Sequence, residues 1–338
     1  MYSPNFSLYD FGPSHPFDPS RFDKFPEYLK EKGFEFRTES AEKANWSTIE
    51  TVHDWEYLES LIALAKVGGM VSPDTPVSSS LIEGARYMVG AALKGINIAM
   101  ENGGNVITMG GFHHAGPNYG EGFCIINDVA IAAKHTRDKG KKVLILDIDA
   151  HQGNGTMDIF RKDPQVLFIS IHQDPRTIYP GRGFIRDIGE GEGRGFTINI
   201  PMPRFSGDEQ YRLAFEHIIV PVSEQFKPDV IITNGGSDPH YNDRLTGLGL
   251  TLNGLNYMGR MARKIADGRP MLNMLISGYG RMTLPGWHAL ALGFSGMEYP
   301  EKDEWEDRPS WTRDEKMSEL TKAVIDALKG ELRDYWKI

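Results

Sequence analysis

From about residue 80 onward, short apolar runs alternate along the chain with segments whose apolar residues recur at helical spacing. The runs are "NVITM" (105–109), "KVLILDID" (142–149), "VLFISIH" (166–172), "FTINIP" (196–201), "DVIITNGG" (229–236) and "MLNMLISG" (271–278). Each predicts a strand. Helix-period segments lie near 80–101, 125–139, 208–225, 254–266 and 313–330. Strands that are continuously apolar need cover on both faces, so the pattern predicts an α/β fold of three layers, αβα, around a central, mainly parallel sheet. No internal repeat, low-complexity tract or charged linker divides the chain, and a single domain over 1–338 is expected.

Glycine, 37 residues in all, clusters just after the strands in "GGFHHAG", "HQGNG" and "NGGSD". Conspicuous polar residues sit at the same strand ends: His113, His114, Asp147, Asp149, His151, His172, Asp238 and Tyr279. In open parallel sheets, ligands bind beyond the carboxyl ends of the strands, where the loops converge. The pattern therefore predicts one site assembled from several strand ends.

Composition narrows the chemistry. With 338 residues and 40% hydrophobic content the chain can bury a full core. It has no run of about 18 apolar residues, and "MYSPNFSLYDFGPSHPF" lacks the basic-then-apolar layout of a signal peptide. A cytoplasmic protein with no membrane partner is expected. The formal charge of -9 argues against nucleic acid as a partner and suits a cationic one. The single cysteine, Cys124, excludes an internal disulfide framework and a cysteine-rich zinc site, which leaves His, Asp and Glu as metal ligands.

"DIDAHQGNG" (147–155) then becomes informative. Side chains alternate along a strand, so Asp147, Asp149 and His151 would share one face. A lone Asp there would be a helix cap. Three ionisable groups on one face of a buried strand need compensation, and a cation is the economical one. "TNGGSDPH" adds Asp238 past another strand; alone it would read as a turn. Asp149, His151 and Asp238 make three protein ligands, the pattern of catalytic zinc with an open position for water. The tandem histidines of "GGFHHAG", ordinary as surface residues, could there deprotonate that water, with Asp147 orienting one ring. Tyr279, in "ISGYG", could donate to a developing oxyanion rather than simply pack.

The ordered segments "GGFHHAGPNYGEGFCIINDVAIAA", "VLILDIDAHQGNGTMDIF", "FISIH", "IYPG", "GGSDPHYNDRLTG" and "ISGYG", over about 105–280, resemble the signatures of the histone deacetylase superfamily, which includes acetoin-utilisation and acetylpolyamine amidohydrolase proteins. "YDFGPSHPFDPSRF" (9–22) is similar to its N-terminal segment, and "DAHQGNGT" is closest to the class IV and class II branches. The resemblance implies the arginase/deacetylase fold and a zinc-dependent amidohydrolase acting on an acylated amine such as acetyl-lysine or an acetylpolyamine. By position it implies one Zn2+ on Asp149, His151 and Asp238, an acid/base pair in His113 and His114, and Tyr279 polarising the carbonyl. Asp147 would pair with His113. Asn154 falls where some branches carry an aspartate partner for His114, so the second dyad would be uncharged. Gly122, Phe123 and Tyr179 would line the acyl-lysine channel. Monovalent cations such as K+ would use Asp147, Asp149, His151, Ser170 and Ile171 at one site and Phe160, Asp163 and Val166 at another.

Two departures from the family pattern stand out. Ser277-Gly278-Tyr279-Gly280 replaces the usual pair of glycines before the tyrosine, so a slip of one position would put Gly280 in its place. The stretch 297–316 has no counterpart and reads as a solvated acidic loop. Competing readings are a two-metal ureohydrolase on the same fold and a non-catalytic acyl-lysine-binding homologue. The first wants a further Asp where Gly153 stands and a paired carboxylate where Ser237 precedes Asp238; the second has only the Tyr279 irregularity in its favour.

Overall fold

The computed structural model describes residues 1–300 and 315–338; most of the 297–316 stretch lies outside the described residues. Each of the six apolar runs forms a strand: β1 (Asn105–Met109), β2 (Val143–Asp147), β3 (Val166–Gln173), β4 (Thr197–Met202), β5 (Val230–Gly235) and β6 (Met271–Leu275). They join in one sheet, in the spatial order β1-β6-β5-β2-β3-β4, with every pairing parallel. Strands β2 to β6 are buried at every residue, whereas β1, at an edge, is partly exposed.

The side chains of β2, β3, β5 and β6 alternate between two separate apolar layers. Val143, Ile145, Phe168, Ile232 and Leu272 pack with Ala92, Val129 and Met157 on one face. Leu144, Leu146, Ile169, Ile231 and Met271 join Phe215, Leu255 and Leu290 on the other. Helices Ser79–Asn102, Asp128–Arg137 and Asn154–Phe160 cover the first face, and Leu252–Ala266 and Thr283–Phe294 the second. The long helix Ser79–Asn102 starts where the Ser78 hydroxyl accepts the Leu81 N–H and stops at Gly103, whose φ of 63° belongs to the left-handed region.

All five expected helices occur, with the 208–225 segment passing through a π-helical turn at Phe215–Ile219. The structure adds helices that the pattern did not reveal. Thr283–Phe294 is apolar nearly all round and carries Pro285 and Gly286 in its first turn, so it lacks an amphipathic period. Ser20–Glu31 contains Pro26. None of the described helices is long and apolar enough to cross a membrane.

Sheet order fixes where a site can form. From β2 the chain moves outward through β3 and β4, then crosses back to β5 on the other side of β2. The carboxyl ends of β2 and β5 thus flank the point where the strand order reverses, the usual place for a crevice in such sheets. The loop after β1 is drawn across the neighbouring strand ends: the Gly110 N–H donates to Leu275 O (3.2 Å). A Cβ on Gly111 would lie 2.1 Å from Asn234 Oδ1, so only glycine permits this approach.

Candidate active site

Strand β2 ends at Asp147, two residues short of the extent expected from the sequence, and the chain turns before Asp149 and His151. The three side chains therefore do not share one strand face. Asp147 turns toward His113, while Asp149, His151 and Asp238 come together, each offering one donor atom within 4.8 Å of the others. His151 Nδ1 lies 3.1 Å from Asp149 Oδ1 and 2.9 Å from Asp238 Oδ2. All three residues are buried, and Asp149 Oδ2 has no hydrogen-bond partner.

Burial, then the charge of Asp149, pushes the Asp238 carboxyl up to about 8. Two buried carboxylates that resist being charged together, converging on one imidazole and with one buried oxygen unpaired, are a donor set that a divalent cation would satisfy. Asp238 is also held from behind, since Ser277 Oγ donates to its Oδ1 at 2.7 Å and Trp287 Nε1 donates to the Ser277 carbonyl at 2.7 Å. Among the described residues this is the one group of His, Asp and Glu donors close enough to hold a metal.

His113 and His114 lie beside this cluster with ring centroids 4.2 Å apart. Their loop is braced by Asp128, whose carboxylate accepts the N–H groups of Gly111 (3.0 Å) and Phe112 (2.8 Å). His113 Nδ1 meets Asp147 Oδ2 at 2.8 Å, and His114 Nδ1 meets Asn154 Oδ1 at 2.7 Å. Burial disfavours charge on both rings, but the outcomes diverge. The Asp147 and Asp149 carboxylates overcome burial at His113 and raise it to about 9. At His114, burial and the charges of His113 and His151 act together to hold the ring well below its ordinary value. One histidine is set up as a cation and the other as a neutral base. Asn154 is not isolated, for a carboxylate, Glu121, accepts from its Nδ2 at 2.6 Å.

The expected channel residues lie around the same opening. Tyr179 packs edge-on against His114 (5.1 Å) and Phe123 edge-on against Tyr279 (5.9 Å). Gly122 passes so close between them that a Cβ would lie 2.7 Å from His114 and 2.8 Å from Tyr179. Phe123 takes a φ of 66°, a conformation that β-carbon sterics disfavour, and is tied there by Thr75 Oγ1 on its N–H (2.9 Å) and the Tyr9 hydroxyl on its carbonyl (2.6 Å). The N-terminal segment thus builds part of the wall. Tyr279, not Gly280, faces inward: it lines a small cavity of about 20 Å³ with Phe17, His113, His114, Phe123, Asp149 and His151. Its N–H donates to Asp243 at 2.7 Å. A larger, mainly apolar cavity of about 580 Å³, between Phe25, Phe34, Ile98 and Val106, contains none of these groups.

His172 does not join the site. Its ring spans Ser170 Oγ (2.8 Å) and the Gly183 carbonyl (2.9 Å), so it ties β3 to the loop that follows Tyr179. Ser170 pairs with Asp147 in the β2–β3 register, and Ile171 is the next residue of β3. Phe160, Asp163 and Val166 share the turn before β3, but the Asp163 carboxylate already meets Arg137 Nε at 2.7 Å. The monovalent-cation expectation gains no support there. Asp128, Ser277, Asp243 and Glu121 escaped the sequence reading, because each resembles an ordinary cap, turn or surface residue until its distant partner is known.

Residues 15–291 match the family described as the histone deacetylase domain. A probable deacetylase of Archaeoglobus fulgidus is 35% identical, with 96% of this chain and 94% of that protein covered. The acetoin utilization protein AcuC of Bacillus subtilis is 33% identical, over 79% of this chain and 72% of its own length. The crystal structure of the HDA15 HD domain superposes with a TM-score of 0.85 at 25% identity, covering 99% of this chain and 95% of that one. The match over residues 15–291 takes in the sheet, the donor cluster and the paired histidines, and the relatives agree with it: the chain belongs to the histone deacetylase family.

Proposed function

We propose that the protein is a zinc-dependent amidohydrolase that removes an acetyl group from an amine nitrogen, in an acetyl-lysine side chain or an acetylpolyamine. The observation that carries this reading is the juxtaposition of three buried metal donors with two histidines, one bonded to a carboxylate and the other to an amide, at one aromatic-walled opening. Asp149, His151 and Asp238 would hold the metal. Zn2+, when bound, supplies an acidified water and polarises a carbonyl.

The chain's own residues account for the proton movements. His114, kept neutral, is the base that takes a proton from water, and it returns that proton to the departing amine. His113, kept cationic by Asp147, adds a fixed positive charge beside the reacting centre. Tyr279 donates its hydroxyl to the oxygen on which charge develops. Phe123 and Tyr179 exclude water and guide an unbranched amine chain.

The test is turnover by zinc-loaded protein of a fluorogenic acetyl-lysine peptide and of acetylpolyamines, beside His114→Ala. Hydrolysis of at least one substrate, lost in the variant by roughly 10²–10⁴-fold with zinc retained, supports the reading. Full activity in His114→Ala, or no hydrolysis of either substrate class, overturns it.

A further inference from the structure

We infer that Glu121 and Tyr119, neither of which touches the metal donors, set the tautomer of His114 by locking the Asn154 amide in one orientation. The inference rests on the proton-transfer role proposed for His114. It starts from the hydrogen-bond arithmetic of a primary amide, which offers an acceptor on one side and two donors on the other. Asn154 Nδ2 has an acceptor for each of its hydrogens: Glu121 Oε1 at 2.6 Å and the Tyr119 oxygen at 3.2 Å. The Tyr119 hydroxyl hydrogen is committed elsewhere, to Asp158 Oδ2 at 2.7 Å, so toward Asn154 that oxygen can only accept. Asp158 in turn is clamped by Arg182 through two hydrogen bonds, at 2.6 and 2.8 Å.

Turning the amide over would set Asn154 Oδ1 against a carboxylate oxygen and a phenol oxygen with no hydrogen to give. The observed orientation is therefore held, and Oδ1 faces His114 Nδ1 at 2.7 Å. That oxygen can only accept, so the His114 ring carries its hydrogen on Nδ1. The lone pair is left on Nε2, the nitrogen available to the cavity that the ring lines with Asp149 and His151. An asparagine without these two acceptors could present its amino group to His114 equally well and favour the opposite tautomer, which has no base on the reacting side.

Burial and then the Glu121 carboxylate push the Tyr179 hydroxyl up from its ordinary value, so the same carboxylate lies beside the aromatic wall. Glu121 and Tyr119 are positioning residues; both come from "PNYGEG", the short loop between the tandem histidines and Phe123.

The experiment reads the tautomer directly, by ¹⁵N shifts of His114 in histidine-labelled, zinc-loaded protein without substrate, assigned by comparison with His114→Ala. Native protein should carry the hydrogen on Nδ1. Glu121→Ala should give a mixture of tautomers and lower kcat in proportion to the fraction protonated on Nε2, about twofold for an even mixture, with KM unchanged, because the base is only intermittently correct. Glu121→Gln keeps an acceptor oxygen of the same reach and should restore both the tautomer and kcat. A native ring protonated on Nε2, an unchanged tautomer in Glu121→Ala, or a Glu121→Gln variant as defective as Glu121→Ala would each overturn the lock. Failure of the hydrolase reading shows separately, as native protein that turns over no acylated amine while its His114 tautomer is still readable.

Discussion

Gly153→Ala tests whether the geometry behind the paired histidines controls the rate. Gly153 sits between His151 and Asn154, and its φ of -75° suits any residue, so the substitution brings no backbone strain. The obstacle is space. A Cβ at this position would lie 2.3 Å from Asp147 Oδ2 and 3.0 Å from His113 Nδ1, the two atoms that form the 2.8 Å bond of the first dyad. Ordinary contact requires a displacement of more than about 1 Å, because carbon and oxygen rest near 3.4 Å or beyond. If the carboxylate yields, the His113 bond is broken. If the backbone yields, the helix Asn154–Phe160 shifts and takes Asn154 from His114. Losing one buried hydrogen bond to a charged group is worth about 1.5–3 kcal/mol, and expressed fully in the barrier that is roughly a 10- to 150-fold fall in kcat. Overpacking should also cost about 1–3 kcal/mol of stability. Steady-state kinetics, zinc content and urea unfolding on the same preparation separate these effects. A variant with kcat within about twofold of native, zinc bound and fold intact would show that neither dyad needs its observed spacing, and would refute the reasoning.

Three further outcomes are expected. Tyr279→Phe should lower kcat by roughly 10²–10³-fold with unchanged zinc content and stability, because it removes one oxyanion donor and no ligand; unchanged kcat on a good substrate would exclude that role. Ser277→Ala should weaken zinc binding by about 10- to 100-fold in a chelator competition, since it removes the 2.7 Å bond that orients Asp238; equal affinity would make Ser277 a packing residue. His53, whose Nε2 accepts the Asn127 N–H at 2.9 Å, is held neutral by burial down to about 4, against an ordinary 6.5. Between those values the unfolded chain binds the proton and the folded one does not. Stability should therefore fall as pH drops from 6.5 toward 4, by up to about 3 kcal/mol from this group, and His53→Gln should flatten the slope in urea titrations; an identical slope would refute the assignment.

What the sequence determined by itself was whatever depends on periodicity and on short-range order. Short runs such as "VLIL", bounded by polar and glycine residues, favour a strand covered on both faces, and so all six strands of the main sheet and the layered architecture were legible. The polar residues at the strand ends were legible too, because buried strands that finish in ionisable groups are costly without a partner. Periodicity failed at Thr283–Phe294, which is buried all round and so shows no polar face. Alternation failed beyond Asp147, where β2 stops: it could not tell that Asp147 turns to His113 while Asp149 joins Asp238.

Periodicity alone left open which carboxylate serves which imidazole; the resemblance supplied Asp147 for His113, and the tertiary structure brings Asp149, His151 and Asp238 together from β2 and β5, neighbours in the sheet but about 90 residues apart in the chain. It alone revealed that Asp128, Ser277 and Asp243 brace the histidine loop, the Asp238 carboxylate and the Tyr279 backbone, and that Glu121 stands behind Asn154. A hydrogen bond constrains atoms a few ångströms apart and leaves no periodic trace in the chain, so the residue types were visible in the sequence while their pairing waited on the fold.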